Sequence, residues 1–157
     1  MATLSYSANL AWQFSAREAA AAQSEFIEPE HVLIGILNLE KISAQDEELS
    51  PSALQSLLAE QDDVSELLRD FELDVTELRR NLRGALGDGK YQHQEKIVHR
   101  SAACKAVFKR AGELAKSQDA PATCLCMLVA VLENPHPAIV SVLNVAGVTP
   151  EAVRIRA

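Results

Sequence analysis

The sequence predicts an all-α fold built from two pseudo-symmetric four-helix repeats, and three observations carry that prediction. First, Ala8, Ala11, Ala16, Glu18, Ala20, Gln23, Leu33 and Leu37 recur as Ala103, Ala106, Ala111, Glu113, Ala115, Gln118, Leu128 and Leu132, always 95 residues on. Second, the segment from Leu73 to Arg79 matches that from Val148 to Arg154 at an offset of 75. Third, the composition is 48% apolar but only 4% aromatic, which suits helices packed through small residues better than strands. A chain that repeats itself is made of similar units, each offering an apolar face to the other.

The elements follow in order. Residues 5–24 form a long helix, with Leu10, Phe14 and the alanines on one stripe. Pro29 opens the second helix, where its missing N–H costs nothing, and the run from Val32 to Leu37 is apolar nearly all round. Residues 41–63 are polar and acidic (Gln45, Asp46, Glu47, Glu48), with a helix capped by Ser50 and begun by Pro51. Helices over 64–71 and 74–86 follow, the latter with Asp74 and Glu77 as a capping box. Gly84, Gly87 and Gly89 then end the first half. Residues 99–116 repeat the long helix and 123–133 the apolar one. A short helix spans 139–146, and Thr149 caps a last helix with Pro150 at its first position. The fall in offset from 95 to 75 places about twenty extra residues in the first half, as an acidic insertion at 41–63. The expected organisation is one domain over 1–157: repeat one at about 4–86, a linker at 87–97, and repeat two at about 98–156.

Charge and composition exclude several functions. A net charge of −7 argues against nucleic acid, because phosphate binding needs a basic face. The tight cluster Arg79, Arg80 and Arg83 reads as a solvated helix face. No stretch approaches a membrane span and no signal segment is present, so the expected location is the cytoplasm. Three cysteines at no framework spacing fit a reducing compartment.

Motifs that imitate chemistry fail on context. Gly84 to Lys90 has the spacing of a phosphate loop, but Tyr91 stands where Ser or Thr must hold magnesium, and a helix precedes it instead of a strand. It reads as a glycine cap and linker. Glu30 and His31 are helix neighbours about 100° apart and cannot share one ligand; His31 is expected to make a structural hydrogen bond from the helix start to a neighbouring segment. Cys124 and Cys126 face opposite sides of a helix and read as packing. His93, His99 and His136 have no ligand companions in the sequence. No nucleophile–base set or paired carboxylates stand at a catalytic spacing. The expectation is no enzyme, no cofactor and no metal.

The run Leu4-Ser5, Ala8, Glu18, Ala19, Ile27 and Pro29 to Leu37 resembles the Clp repeat, which opens with Phe-Thr and carries Thr-Glu-His before a Leu-rich run with Gly. The segment from Val145 to Arg154 resembles its closing turn and helix. The resemblance covers almost all of the chain outside 41–63 and implies the N-terminal domain of a Clp/Hsp100 unfoldase. Such a domain precedes ATPase rings and binds adaptors and substrates. The second repeat departs from the pattern: Leu125-Cys126 replaces Glu-His, and His99-Arg100 replaces Phe-Thr. In some members a Thr and a Glu in each repeat form a pocket for arginine-phosphorylated substrates. Ser5 and Glu30 match that pair in the first repeat; Arg100 and Leu125 in the second place a cation where a guanidinium would sit.

The resulting expectation is a non-catalytic module that captures adaptors or unfolded or tagged polypeptides for AAA+ ATPase modules, carried in cis or in trans. A groove between the repeats, with Trp12, Phe14 and Phe108 as candidate lining, would take an apolar segment, and acidic rim residues would select a basic partner. The alternatives are a stand-alone Clp-repeat adaptor or regulator, and a phosphoarginine or small-ligand sensor at Ser5 and Glu30. No nucleic acid and no membrane partner is expected. The 41–63 insertion is expected to be a lid, a docking arm or a loop.

Overall fold

The computed structural model describes residues 3–41, 50–87, 89–91 and 98–157. The acidic run 45–48, His93, Asp88 and most of the expected linker lie outside the described residues. Within them the chain forms eight α-helices and a 3-10 turn at Asn38–Lys41. The helices are α1 (Tyr6–Ala21), α2 (Pro29–Leu37), α3 (Pro51–Asp70), α4 (Val75–Leu86), α5 (Ala102–Lys116), α6 (Cys124–Glu133), α7 (Pro137–Val145) and α8 (Pro150–Arg156).

Local chemistry sets the helix starts. Ser5, Ser50, Asp74, Ser101, Thr123, His136 and Thr149 each accept a backbone N–H with the side chain. Proline opens α2, α3, α7 and α8. The core is aliphatic: α2 is buried along its whole length, and Ile27, Ile34, Ile36, Leu82, Met127 and Ile139 are almost wholly sealed from solvent. Gly35 lets α2 lie directly on α1, for a Cβ there would run into the Ala11 carbonyl oxygen and Ser15 Oγ.

The pseudo-symmetry is real, but its register differs from the one the alanines suggest. Ser5 and Ser101 are equivalent helix caps, 96 residues apart. Gln23 and Asp119 take the same left-handed turn (φ 54° and 51°) at the same spacing, after helices that bury Ala8, Ala11, Ser15 and Ala19 opposite Cys104, Val107, Ala111 and Ala115. The offset becomes 95 only at Ile27 and Ala122, so the second half is one residue shorter just before α6. It becomes 75 by Glu72 and Gly147, again a left-handed pair, and by the caps Asp74 and Thr149. Trp12 is therefore matched by Phe108, not by Val107.

Each half holds the other's helix starts. Leu4 bridges Ala122 in parallel, through Ser5 N–H to Ala122 O and Ala122 N–H to Thr3 O, both 2.9 Å. Ile27 bridges Arg100 in the same way, through Ile27 N–H to His99 O at 2.9 Å and Ser101 N–H to Ile27 O at 3.1 Å. The beginnings of α1 and α6 thus lie together, as do those of α2 and α5.

Two expectations are corrected. Residues 51–70 are one unbroken helix, because no glycine or proline interrupts them and Leu57, Val64, Leu67 and Leu68 share one buried face. Residues 51–63 are therefore packed structure, neither a loop nor a free arm. The arginines of α4 are likewise not all solvated: Arg79 is buried and donates to the Leu37 carbonyl at the end of α2 (2.9 Å), while Arg83 pairs with Glu18. Gly89 N–H and Tyr91 N–H donate to Ala22 O (2.7 Å) and Gln23 O (3.0 Å), pinning the glycine segment to the end of α1. No single helix among the described residues is long and apolar enough to cross a membrane; α6 and α7 would pass only as a pair bent by 100°.

Candidate functional site

The two joined pairs of helix starts are natural anion sites, since their free N–H groups converge. Carboxylates of the chain itself stand at both. Ser5 Oγ accepts from Ala8 N–H (3.1 Å) and donates to Glu60 Oε1 (3.0 Å), which also accepts from Cys124 N–H (3.0 Å). Ser101 Oγ accepts from Cys104 N–H (3.1 Å) and donates to Glu28 Oε2 (2.9 Å). Glu28 sits at the cap of α2 and closes its own end with His31, whose Nδ1 accepts the Glu28 N–H at 2.9 Å. The His31 bond is thus local to its own helix start. Its equivalent cap on α6 is Thr123, and the missing acid is supplied by α3.

Ser5 and Glu30 stand in different surroundings. Ser5 belongs to the Glu60 cluster; Glu30 lies in the first turn of α2, only 5% exposed. Burial pushes the Glu30 carboxyl up, with His136 pulling the other way. Ser101, not Arg100, is the second repeat's counterpart of Ser5.

The other polar side chains hold structural places. Burial lowers His31 against the opposing pull of Glu28 and Glu18. Burial pushes Cys104 up to about 12 and raises Cys124 as well, with Glu60 adding to the second, so both thiols stay protonated. Thr123 Oγ1 donates to Cys126 Sγ at 3.4 Å. His136 caps α7, its Nδ1 accepting from Ala138 N–H at 3.0 Å. The described residues contain no cluster of His, Cys, Asp and Glu able to hold a metal ion.

An open cavity of about 850 Å3 lies along the outer side of α5. Thr3 and Leu4 form one wall and residues 119–121 close one end. Phe108 and Ala115 give it an apolar floor, and Arg100, Lys105, Lys109 and Lys116 line it with cations against Glu113 and Asp119. Beside it, Trp12 meets Phe108 edge to face across the pseudo-twofold (centroids 5.1 Å). The Arg100 guanidinium covers both rings, at 5.5 Å from Trp12 and 5.1 Å from Phe108.

Of the three expected groove residues, Phe108 lines the cavity, Trp12 backs it, and Phe14 does neither. Residues two apart on a helix point to opposite sides, and Phe14 lies under Arg17 instead (5.8 Å). Where an acidic rim was expected, this groove is lined by four cations and two acids. Sequence reading missed the lysines because Lys105, Lys109 and Lys116 are scattered in the chain. Their spacings of four and seven, on a helix already expected there, were the available signal.

No protein-family model and no curated protein matches the chain. Solved structures do. The chain is similar to the Hsp104 N-terminal domain from Candida albicans, with a TM-score of 0.71, 13% identity, and coverage of 98% of this chain and 88% of that one. It is also similar to the N-terminal domain of the caseinolytic protease associated chaperone ClpD from Arabidopsis thaliana, with a TM-score of 0.62, 17% identity, and coverage of 98% and 93%. The all-α double repeat is the fold of Clp/Hsp100 N-terminal domains.

Proposed function

We propose that this chain is a non-catalytic module that captures polypeptide segments, as adaptors or substrates, for a Clp-type AAA+ unfoldase carried in cis or in trans. The observation that carries the reading is the open groove along α5, floored by Phe108 and walled by Leu4, on a fold shared with chaperone N-terminal domains. An extended segment lays apolar side chains on such a floor and releases them without covalent chemistry. Two of the three thiols, Cys104 and Cys124, are buried and protonated, and Ser5 and Ser101 are engaged as caps.

The test is capture of an unfolded polypeptide by the purified chain. Casein or a labelled apolar peptide is expected to bind, and a folded control protein is not. Ala120→Trp plugs the groove from an exposed position and leaves the core alone. It is expected to weaken binding by about tenfold, roughly 1.4 kcal/mol. Equal binding by the wild type and A120W in an anisotropy titration would place capture elsewhere.

A further inference from the structure

We infer that the groove along α5 selects acidic extended segments, with carboxylates on alternate residues. The inference rests on the capture reading above and names its occupant.

Three features of the groove point the same way. Lys105, Lys109 and Lys116 stand four and seven residues apart, so at 100° per residue they fall within about 40° of one another on one face of α5. That face lines the cavity, all three lysines are exposed, and none makes an ion pair among the described residues. The neighbouring Arg110, by contrast, is spent on Glu133 (3.0 Å) and Glu113 (3.4 Å). One of the two acids lining the groove is thereby already partnered. Arg100 continues the positive line at the start of the helix, held over Trp12 and Phe108.

The contrast with the rest of the molecule sharpens the assignment. The chain as a whole carries −7, so its net field opposes an acidic polypeptide, and this stripe runs against that background. The same background disfavours nucleic acid, whose phosphates extend well past a groove this short and meet the acidic surface beyond. Spacing fixes the segment's form. The lysine stripe spans about 16 Å at 1.5 Å per residue, the length of about five residues of extended chain. Acidic side chains on alternate positions over six or seven residues reach all three ammonium groups, and the residues between them are free to meet Phe108, Leu4 and Pro121.

The experiment uses the full chain and three fluorescent peptides with one apolar frame, Leu and Phe at alternate positions. Glu, Gln or Lys fills the positions between, and single-stranded oligothymidine is a fourth probe. The Glu peptide is expected to bind about tenfold or more tighter than the Gln peptide at low ionic strength. That preference should shrink near 0.5 M salt, where charges are screened beyond about 4 Å. The triple variant K105E/K109E/K116E, checked by circular dichroism for unchanged helix content, should lose the preference and favour the Lys peptide. Equal affinity for the Glu and Gln peptides overturns the inference and leaves capture standing. No binding of any peptide overturns both. Oligothymidine that binds more tightly than the Glu peptide and displaces it overturns the inference in favour of nucleic acid.

Discussion

Glu60 is the residue on which the two halves depend most visibly. One carboxylate oxygen takes the Ser5 hydroxyl from the first half and the Cys124 N–H from the second. Glu60→Ala leaves both donors without that partner and is expected to cost about 1–3 kcal/mol. Glu60→Gln keeps an acceptor oxygen and should cost less, as urea titrations would show. Glu30 acts in the opposite sense. Burial raises its carboxyl, so the folded chain holds that proton more tightly than the unfolded chain, and ionised Glu30 opposes folding at neutral pH. The opposition fades as pH falls through the raised value and is gone below the ordinary carboxylate range. Glu30→Gln should therefore melt higher than wild type at about pH 7.5 and level with it by about pH 4. Equal melting temperatures at both would remove the buried charge as a cause. Neither role was legible in the chain. Glu30 reads as a first-turn acid favoured by the helix dipole; the all-round apolar run from Val32 to Leu37 announces a buried helix but not that burial reaches back to its first turn. Glu60 reads as one acid among many, because its partners are 55 and 64 residues away.

Among the elements, α3 departs most from expectation. Its counterpart α7 is 9 residues long and α3 is 20, and the added turns at its start carry both Leu57 and Glu60. Leu57 has no exposed surface. Leu57→Ala should cost about 2–5 kcal/mol by thermal or chemical denaturation, and removing residues 43–62 should abolish cooperative unfolding altogether. Retention of a sharp transition after that deletion would make the added turns dispensable. The helix was legible in its pieces, since Ser50-Pro51 and the leucines announce it. Its continuity was hidden by the polar stretch from Gln61 to Asp63, which reads as a break; in the helix Asp62 and Asp63 face solvent while Gln61 turns inward beside Ile36, Leu37 and Leu39. The first helices carried a subtler trap. In alanine-rich helices a shift of one residue still aligns many alanines, so identity alone favoured 95 where hydrogen bonds and burial give 96. The slip arises just after the left-handed turns at Gln23 and Asp119, before Ile27 and Ala122, and Gln23 does not advertise such a turn as glycine would.

At the scale of the whole molecule, the double repeat and its four-helix halves were readable because apolar periodicity survives where identity does not. The groove was not, because it is made by one helix face, two residues near the amino terminus and a turn that meet only in three dimensions. The crossed bridges give the whole a further property. Residues 3–5 are completed by Ala122, and Ile27 is completed by residues 99–101. Fragments 1–91 and 98–157, expressed alone, should each show little cooperative melting, whereas mixing them should restore helix content in circular dichroism. Independent folding of either fragment would mean that the cross-links are secondary.

Those same bridges deny the molecule a hinge. Opening one half away from the other would strip Ser5, Ile27, Ser101 and Ala122 of their backbone partners at once. On the capture proposal, a segment that visits the face of α5 meets a stiff template and must itself supply the flexibility, which would make the groove a filter for chain already loose from its own fold.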